Sequence, residues 1–295
     1  MSNAPAIVAA EHQPFRRTPV AVMAIIREHR RVAVAAGLVA FLFLVALLAP
    51  LISPHNPLAV SPDEAYLPPL SPGHLLGTDE LGRDLLSRII WGARVSLPVA
   101  FVAVGVGLIG GGTVGMFSGY GGGAIDLLLM RLMDALLAFP GLILAIALVA
   151  AFGPGLRNAM IAIGVVAVPV YARLVRAVVL QLKQMEFIVA TRSIGATPLR
   201  LILRHLIPNL LNPIIVQISL SAGFAILAEA TLSFLGLGAQ PPTPDWGQMI
   251  NTGAAFLVND PWLAIVPGAA ISITVYSFNL LGDSLRDALD PRIRD

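Results

Sequence analysis

The chain has 295 residues, of which 57% are apolar and only 12% are charged, and its mean hydropathy is +0.82. A soluble domain typically carries about 25% charged residues, so the composition excludes a water-soluble enzyme, and it equally excludes a disordered chain. A formal charge of only +2 does not indicate a nucleic-acid-binding protein. The absence of cysteine excludes disulfides, thiolate metal sites and cysteine nucleophiles. The sequence therefore predicts an all-α integral membrane protein in contact with lipid.

Long apolar runs predict the membrane spans. A helix needs about 20 apolar residues to cross the hydrocarbon core of a bilayer. The first run is longer than the roughly 7–15 apolar residues of a secretory signal, so it is interpreted as a retained anchor. Six transmembrane helices are predicted, over residues 32–52, 95–117, 127–152, 159–179, 214–236 and 262–282.

The distribution of Lys and Arg predicts the orientation. With a cytoplasmic N-terminus, 15 of the 19 cationic residues lie inside, which agrees with the positive-inside rule. Residues 1–31 and 283–295 then form cytoplasmic tails, and residues 53–94 form an extracytoplasmic segment. Helical spacing of apolar residues at 82–94 predicts a short interfacial helix within that segment. Residues 95–282 form a five-helix transport core that includes a cytoplasmic loop over 180–213.

Signatures of covalent chemistry are missing from the sequence. The only lysine, Lys183, follows Leu182, so the Gly-Lys-Ser/Thr end of a P-loop is absent. The five histidines show no pair at the spacing of a helical metal site, and there is no Gly-x-Ser-x-Gly elbow. We therefore expect no catalytic residue and no metal site. Any uphill transport must draw its energy from a partner protein or an ion gradient.

The cytoplasmic loop predicts two short helices joined by a turn. Gly195 can end the first helix in a left-handed conformation, Thr197 can cap the second, and Pro198 suits its first position. The second helix places apolar residues beside Arg200 and Arg204. An exposed amphipathic pair of this kind needs either a protein partner or the lipid headgroups to cover it, and both alternatives remain open at this point.

The same loop resembles the "EAA" coupling motif of ABC importer permeases, which runs Glu-Ala-Ala, three residues, Gly, nine residues and Ile-x-Leu-Pro. Gly195 and Pro208 hold the family spacing, and Ala190 stands at the middle position of the triplet. Val189 replaces the glutamate and Thr191 replaces the second alanine. The resemblance implies contact with ATPase subunits through Glu186, Val189, Ala190, Thr191, Arg192, Gly195, Ala196, Thr197, Pro198, Arg204 and Pro208.

Further strings resemble the C-type permeases of dipeptide, oligopeptide and nickel ABC importers: residues 74–88, 119–126, 137–140, 229–238 and 241–247. The resemblance implies a type I ABC importer permease fold with an outside segment after the first span, in a prokaryotic inner membrane. It implies a B-type permease, two ATPase subunits that bind ATP and Mg, and an external substrate-binding protein as partners. It also implies import of short peptides by alternating access, with nickel chelates or glutathione-like solutes as alternatives.

Several individual residues stand out. Glu229 lies inside the fifth span, where an acid usually faces a partner or a wet cavity, so it either lines the translocation path or fixes a neighbouring helix. Arg131 and Asp134 are three residues apart and can pair on one helix face. An outside docking surface, a lid, or a covered element with local ion pairs is predicted at Gly77, Thr78, Asp79, Gly82, Arg83 and Asp84.

Two other classes of protein compete with the permease interpretation. A stand-alone ion-coupled transporter would normally show an internal repeat and several intramembrane ionisable residues, whereas Glu229 is the one acid well inside a span. A membrane scaffold would leave the cytoplasmic helix pair unexplained.

Glycines recur every four residues from Gly107 to Gly123, which predicts close packing between two helices.

Overall fold

The computed structural model describes residues 30–289. The predicted tail at 1–31 therefore lies almost entirely outside the described residues, and the tail at 283–295 lies outside them from residue 290 onward. Where the second tail is described, it continues the last helix as far as Leu289.

The described residues are almost entirely helical. A 3-10 helix covers Pro62–Glu64, and a π-helical turn at Ile202–Leu206 connects two of the α-helices. Residues 30–289 contain two isolated β-bridges and no strand. The helices are α1 Arg30–Ile52, α2 Leu85–Gly121, α3 Gly123–Leu137, α4 Gly141–Phe152, α5 Leu156–Lys183, α6 Glu186–Ser193, α7 Pro198–Leu201, α8 Ile207–Phe234, α9 Trp246–Ala254 and α10 Trp262–Leu289.

Five unbroken helical stretches are long and apolar enough to cross a membrane: α1, α2, α5, α7 joined to α8, and α10. The helices α3 and α4 pass the same test only as a pair, and they meet at an angle of 90°. The span predicted over 127–152 is therefore broken in the middle, and counting the pair as one span gives the predicted six. The break falls at Pro140, which lacks a backbone N–H and pushes Phe139 out of the helical conformation.

The outer end of α2 also differs from the prediction. A short interfacial helix at 82–94 is wrong, because the helix that begins at Leu85 continues without a break to Gly121. This end packs against protein: the Trp246 Nε1–H of α9 donates to the Ile89 carbonyl at 3.0 Å. The Trp246 ring also lies over Gly92, where an added Cβ would be 2.6 Å from it.

The second cytoplasmic helix likewise continues into a span. It begins at Pro198 as predicted, and it runs on through the π-helical turn, Pro208 and Pro213 to Phe234, so one helix crosses the predicted end of the loop at 213. A π-helical turn changes the backbone hydrogen-bonding pattern just before Pro208, which has no N–H to donate. Asn209 Nδ2 donates to the His205 carbonyl at 2.6 Å and satisfies one of the carbonyls there.

The predicted glycine seam lies between α2 and α5. An added Cβ at Gly111 would be 2.3 Å from the Val168 carbonyl oxygen, and one at Gly115 would be 2.4 Å from that of Ala172. Gly107 and Gly119 are similarly close to α5, whereas Gly123 has nothing within 4 Å. Four of the five glycines therefore allow the backbones to approach closely, as small residues do in membrane helices.

Candidate functional site

The helix α6 and the turn after it form the predicted helix–turn–helix in the cytoplasmic loop. Gly195 has a φ of +80°, the left-handed conformation in which a side chain is strained. The Thr197 hydroxyl oxygen then accepts from the Arg200 N–H at 3.4 Å and caps the next helix, which Pro198 begins. The local sequence thus fixes a tight reversal between α6 and α7, as the spacing predicted.

The apolar side of this helix pair is buried against the C-terminal end of α5. Ile188 of α6 and Leu201 and Leu206 of the next helix pack with Val179 and Leu182 of α5 in one hydrophobic cluster. Because these side chains are almost completely buried, the pair is fixed to α5 by its own core contacts. A force on α6 is therefore transmitted to α5.

The opposite side of the helix pair is exposed. Exposed large apolar side chains (Val189, Ile194, Leu199 and Leu203) lie among exposed Arg192, Arg200 and Arg204. Of the eleven residues predicted to contact ATPase subunits, Thr191 and Ala196 are half-buried and the rest are exposed: Glu186, Val189, Ala190, Arg192, Gly195, Thr197, Pro198, Arg204 and Pro208. We call these eleven residues the coupling surface.

Polar contacts connect the C-terminal ends of α2 and α5 with the N-terminal end of α3. Lys183 Nζ donates to the carbonyls of Gly119 at 3.1 Å and Tyr120 at 2.9 Å, at the C-terminal end of α2. Arg176 of α5 forms a bidentate pair with Asp126 of α3, at 2.6 and 2.7 Å. These contacts hold together the ends of three helices next to the coupling surface.

The predicted pairing of Arg131 with Asp134 is wrong. Asp134 instead accepts from Arg173 of α5 at 2.6 Å. The sequence spacing allowed a pair within α3, but the packing of α5 beside α3 offers Asp134 an arginine on another helix.

Glu229 is completely buried near the outer end of α8. Its Oε1 atom accepts from the Ser233 hydroxyl at 2.6 Å, and its carboxyl lies next to that of Asp245, the N-cap residue of α9. Glu229 Oε2 and Asp245 Oδ2 are both buried without a hydrogen-bond partner. Of the two roles left open by the sequence, this placement favours the one in which Glu229 fixes a neighbouring helix.

The outer segment between α1 and α2 contains a buried network of charges. Asp79 accepts from the Arg83 backbone N–H at 3.0 Å and from Arg83 Nε at 2.7 Å, and Arg88 Nε lies 3.3 Å away. Arg83 also donates to Glu80 at 3.0 Å. Because partners surround each charge, burying this network does not leave an isolated ion.

Asp84 organises the beginning of α2. Its carboxylate accepts from the Ser87 backbone N–H at 2.8 Å, from the Ser87 hydroxyl at 2.6 Å, and from His74 Nδ1 at 2.8 Å. Burial alone would raise the pKa of Asp84, but the hydrogen bonds from Ser87 and His74 outweigh it and lower that pKa below its usual value. His55 is nearby as well, so His55, His74 and Asp84 offer three potential metal-ligand atoms within 4.8 Å of one another.

Two glycines in the outer segment lie very close to backbone carbonyls of the same segment. An added Cβ at Gly77 would be 2.3 Å from the Leu67 carbonyl oxygen, and one at Gly82 would be 1.8 Å from that of Ser61. Among the alternatives for this segment, the geometry favours a covered element with local ion pairs, because buried side chains offer little to a docking partner. All six residues of the predicted outside site are buried: Gly77, Thr78, Asp79, Gly82, Arg83 and Asp84.

The sequence missed the long-range members of these sites. His55 and His74 carried no recognisable spacing, and Asp245 carried no signal as a neighbour of Glu229. Asp245 could have been identified only as a helix N-cap, since it lies three residues before Gln248, whose N–H it accepts at 2.9 Å.

Comparison with known protein families covers most of the chain. Residues 111–295 match the model of the binding-protein-dependent transport system inner membrane component. Residues 21–69 match that of the N-terminal TM domain of oligopeptide transport permease C. The chain belongs to this permease family. It is therefore a multi-pass inner-membrane permease subunit of an ABC transporter.

Curated relatives agree with this assignment. The permease is 47% identical to the dipeptide transport system permease DppC of Alkalihalophilus pseudofirmus, over 85% of this chain and 82% of the relative. It is 46% identical to the di/tripeptide permease DppC of Pseudomonas aeruginosa, over 88% of each chain. It is 44% identical to the glutathione permease GsiD of Pectobacterium atrosepticum, over 91% of this chain and 89% of the relative.

A solved structure shows the same fold. The permease superposes on a chain of the MetNI methionine ABC transporter, in an inward-facing conformation, with a TM-score of 0.59. The alignment covers 70% of this chain and 98% of the other, at 20% sequence identity. The type I ABC importer permease fold predicted from the sequence is therefore confirmed.

Proposed function

We propose that this permease imports short peptides of the dipeptide and oligopeptide class, and that ATP hydrolysis in partner subunits drives the movement. Two relatives are named as a dipeptide permease and a di/tripeptide permease, which supports this substrate class. Glutathione, itself a tripeptide derivative, is the second candidate, because a relative of similar identity is a glutathione permease.

The coupling surface is the observation that carries the proposal. It presents apolar side chains and arginines to the cytoplasm on a helix pair whose other side is fixed to α5. Two ATPase subunits, which bind ATP and Mg, contact this surface and the corresponding surface of a B-type permease. An apolar cleft rimmed by acidic residues on the ATPase would complement the exposed apolar and arginine side chains.

The mechanism follows from how α6 is attached. Closure of the ATPase dimer on ATP pushes α6, and the shared hydrophobic cluster passes the displacement to α5. Because α5 packs closely on the glycines of α2, the two helices move together, and the path between the two permeases opens to the outside. In this proposal the coupling surface faces the cytoplasm, and both termini of the chain lie on the same side of the membrane as that surface.

An external binding protein delivers the substrate to the outer surface. In this proposal the buried charge network of the outer segment supports that surface, and the exposed residues around the network make the contact. The path itself lies between this chain and the B-type permease, and Glu229 positions α9 at its outer end.

The proposal is tested by isolating the complete importer. We expect ATPase subunits, a second permease and this chain to copurify, and vesicles containing them to accumulate labelled dipeptide only with ATP and the binding protein present. A matched vesicle with a Walker-lysine variant of the ATPase is the control. Uptake that depends on an ion gradient and proceeds without ATP would contradict the proposal. Uptake of glutathione but not of dipeptides would support the second candidate, glutathione, as the substrate.

A further inference from the structure

Two histidines and one carboxylate converge in the outer segment before α2. His74 Nδ1 lies 2.8 Å from Asp84 Oδ1, and His55 Nδ1 lies 3.7 Å from Asp84 Oδ2. The three residues each offer a ligand atom, and these atoms lie within 4.8 Å of one another. None of them belongs to the coupling surface or to a candidate span.

The separations suit a small divalent transition-metal ion. Two ligand atoms that are each about 2.1 Å from a tetrahedral ion lie about 3.4 Å apart, and the observed 2.8 and 3.7 Å bracket that value. Imidazole nitrogens favour borderline ions such as Zn²⁺ over Ca²⁺ or Mg²⁺, which take oxygen ligands. The ion would bind the lone pair of His74 Nδ1 in the neutral tautomer that carries its proton on Nε2.

Neighbouring groups hold the three ligands in place. Ser87 donates to Asp84 Oδ2 through its backbone N–H at 2.8 Å and its hydroxyl at 2.6 Å. The His55 backbone N–H donates to the same Ser87 hydroxyl oxygen at 3.0 Å, and the two imidazole rings stack at 4.8 Å. Glu64 Oε2 lies 3.6 Å from His74 Nε2, just beyond hydrogen-bonding distance, and a small side-chain movement would let it orient a metal-bound His74 as carboxylates commonly do.

The cluster is also accessible from one side. The side chains of His74 and Asp84 are 7% and 1% exposed, whereas those of His55 and Glu64 are 41% and 50% exposed. An ion can therefore enter past His55 and keep a water molecule as its fourth ligand.

We propose that His55, His74 and Asp84 bind one Zn²⁺ ion in the outer segment, with Glu64 orienting His74. The ion would connect His55, which follows α1, and His74 to Asp84, the residue just before α2. Binding therefore stabilises the outer segment. The proposal does not depend on which solute the permease imports.

The test uses the full chain, purified through an affinity tag without histidines and stripped of metal with a chelator. We expect Zn²⁺ to bind at one equivalent and to raise the Tm saturably, and Ca²⁺ at the same concentration to leave it unchanged. His55→Phe retains the stacked aromatic ring but removes a ligand nitrogen, so it should weaken Zn²⁺ binding more than about tenfold. Its metal-free Tm should stay close to the wild-type value, because His55 is partly exposed.

Two further variants make the result specific. Glu64→Gln should weaken binding by about 10- to 100-fold, the usual effect of losing a carboxylate that orients a ligand. His205→Ala on the cytoplasmic side should bind Zn²⁺ like the wild type. Absence of saturable binding by the wild-type chain, or unchanged binding by the folded His55→Phe variant, would overturn the proposal.

Discussion

The Arg176 guanidinium of α5 donates to both carboxylate oxygens of Asp126 on α3, through Nε at 2.6 Å and Nη2 at 2.7 Å. The Ser118 hydroxyl of α2 donates to the same carboxylate. One carboxylate thus joins three helices at one end of the bundle, close to the point where α5 leads into the coupling surface. Two parallel hydrogen bonds fix direction as well as distance, so the pair can hold α5 in register with α3.

Removing this pair should weaken this end of the bundle. We expect Arg176→Met to lower the free energy of unfolding by about 1–3 kcal/mol, since two charge-assisted hydrogen bonds are lost and Asp126 keeps only the Ser118 hydroxyl as a donor. The measurement is the Tm of the purified chain, together with ATP-dependent uptake. Arg173→Met is the matched control: its partner Asp134 and Arg173 itself are about half exposed, and such pairs contribute about 0–1 kcal/mol. Equal effects of the two variants would contradict the assignment.

Bulky residues in the glycine seam should separate α2 from α5. In Gly111→Leu/Gly115→Leu, the new side chains would meet the Val168 and Ala172 carbonyl oxygens. Since backbone cannot move aside cheaply, we expect little folded protein and no transport. Gly105→Leu is the control on the same helix, because nothing lies within 4 Å of its Cβ position. Full transport by the double variant would rule out the seam as a functional contact.

Gly195 should affect coupling more than stability. No atom lies within 4 Å of an added Cβ, but the φ of +80° strains any L side chain, by about 1–2 kcal/mol. We expect Gly195→Val to insert into the membrane and to retain ATPase binding weakly, while substrate no longer stimulates ATP hydrolysis. The readouts are the ATPase rate with and without substrate, and uptake in the same vesicles. Gly195→Asn, which tolerates the left-handed conformation, should keep most of the coupling; normal coupling in the valine variant would count against the prediction.

Glu229 should be replaceable by an isosteric amide. In Glu229→Gln the amide oxygen still accepts from Ser233, and the amide N–H₂ can donate to the unpartnered Asp245 oxygen. We expect this variant to fold with a Tm near that of the wild type and to transport normally. Glu229→Leu should be destabilised by about 1–3 kcal/mol, because the buried Ser233 hydroxyl would lose the acceptor of its hydrogen bond. A folded Glu229→Gln permease with altered peptide preference would instead place the residue on the path.

Much of the local structure could be predicted from the sequence. The turn at Gly195, the cap at Thr197 and the start at Pro198 were correct, because each depends on the conformational limits of one residue. The break at Pro140 was present in the sequence but was outweighed by the apolar composition on both sides of it. The interfacial helix at 82–94 failed for a different reason: spacing identifies an apolar face but does not tell whether lipid or protein covers it.

The partners of the charged residues could not be predicted in the same way. Arg131 and Asp134 have the right spacing for a pair, yet Asp134 binds Arg173, which is 39 residues away. Asp126 and Arg176 are 50 residues apart. Spacing within a helix shows which pairs are possible, and the packing of helices decides which of them form.

The sequence by itself determined that this protein lies in a membrane, where most of its long apolar helices run and where the helix pair around Gly195 turns, because hydropathy and backbone conformation are local properties. Only the tertiary structure decided that the glycines of α2 meet α5, that Glu229 faces Asp245, and that His55 and His74 meet at Asp84. Those contacts join residues far apart along the chain. They depend on how whole helices and loops fold onto one another, and no local pattern carries that information.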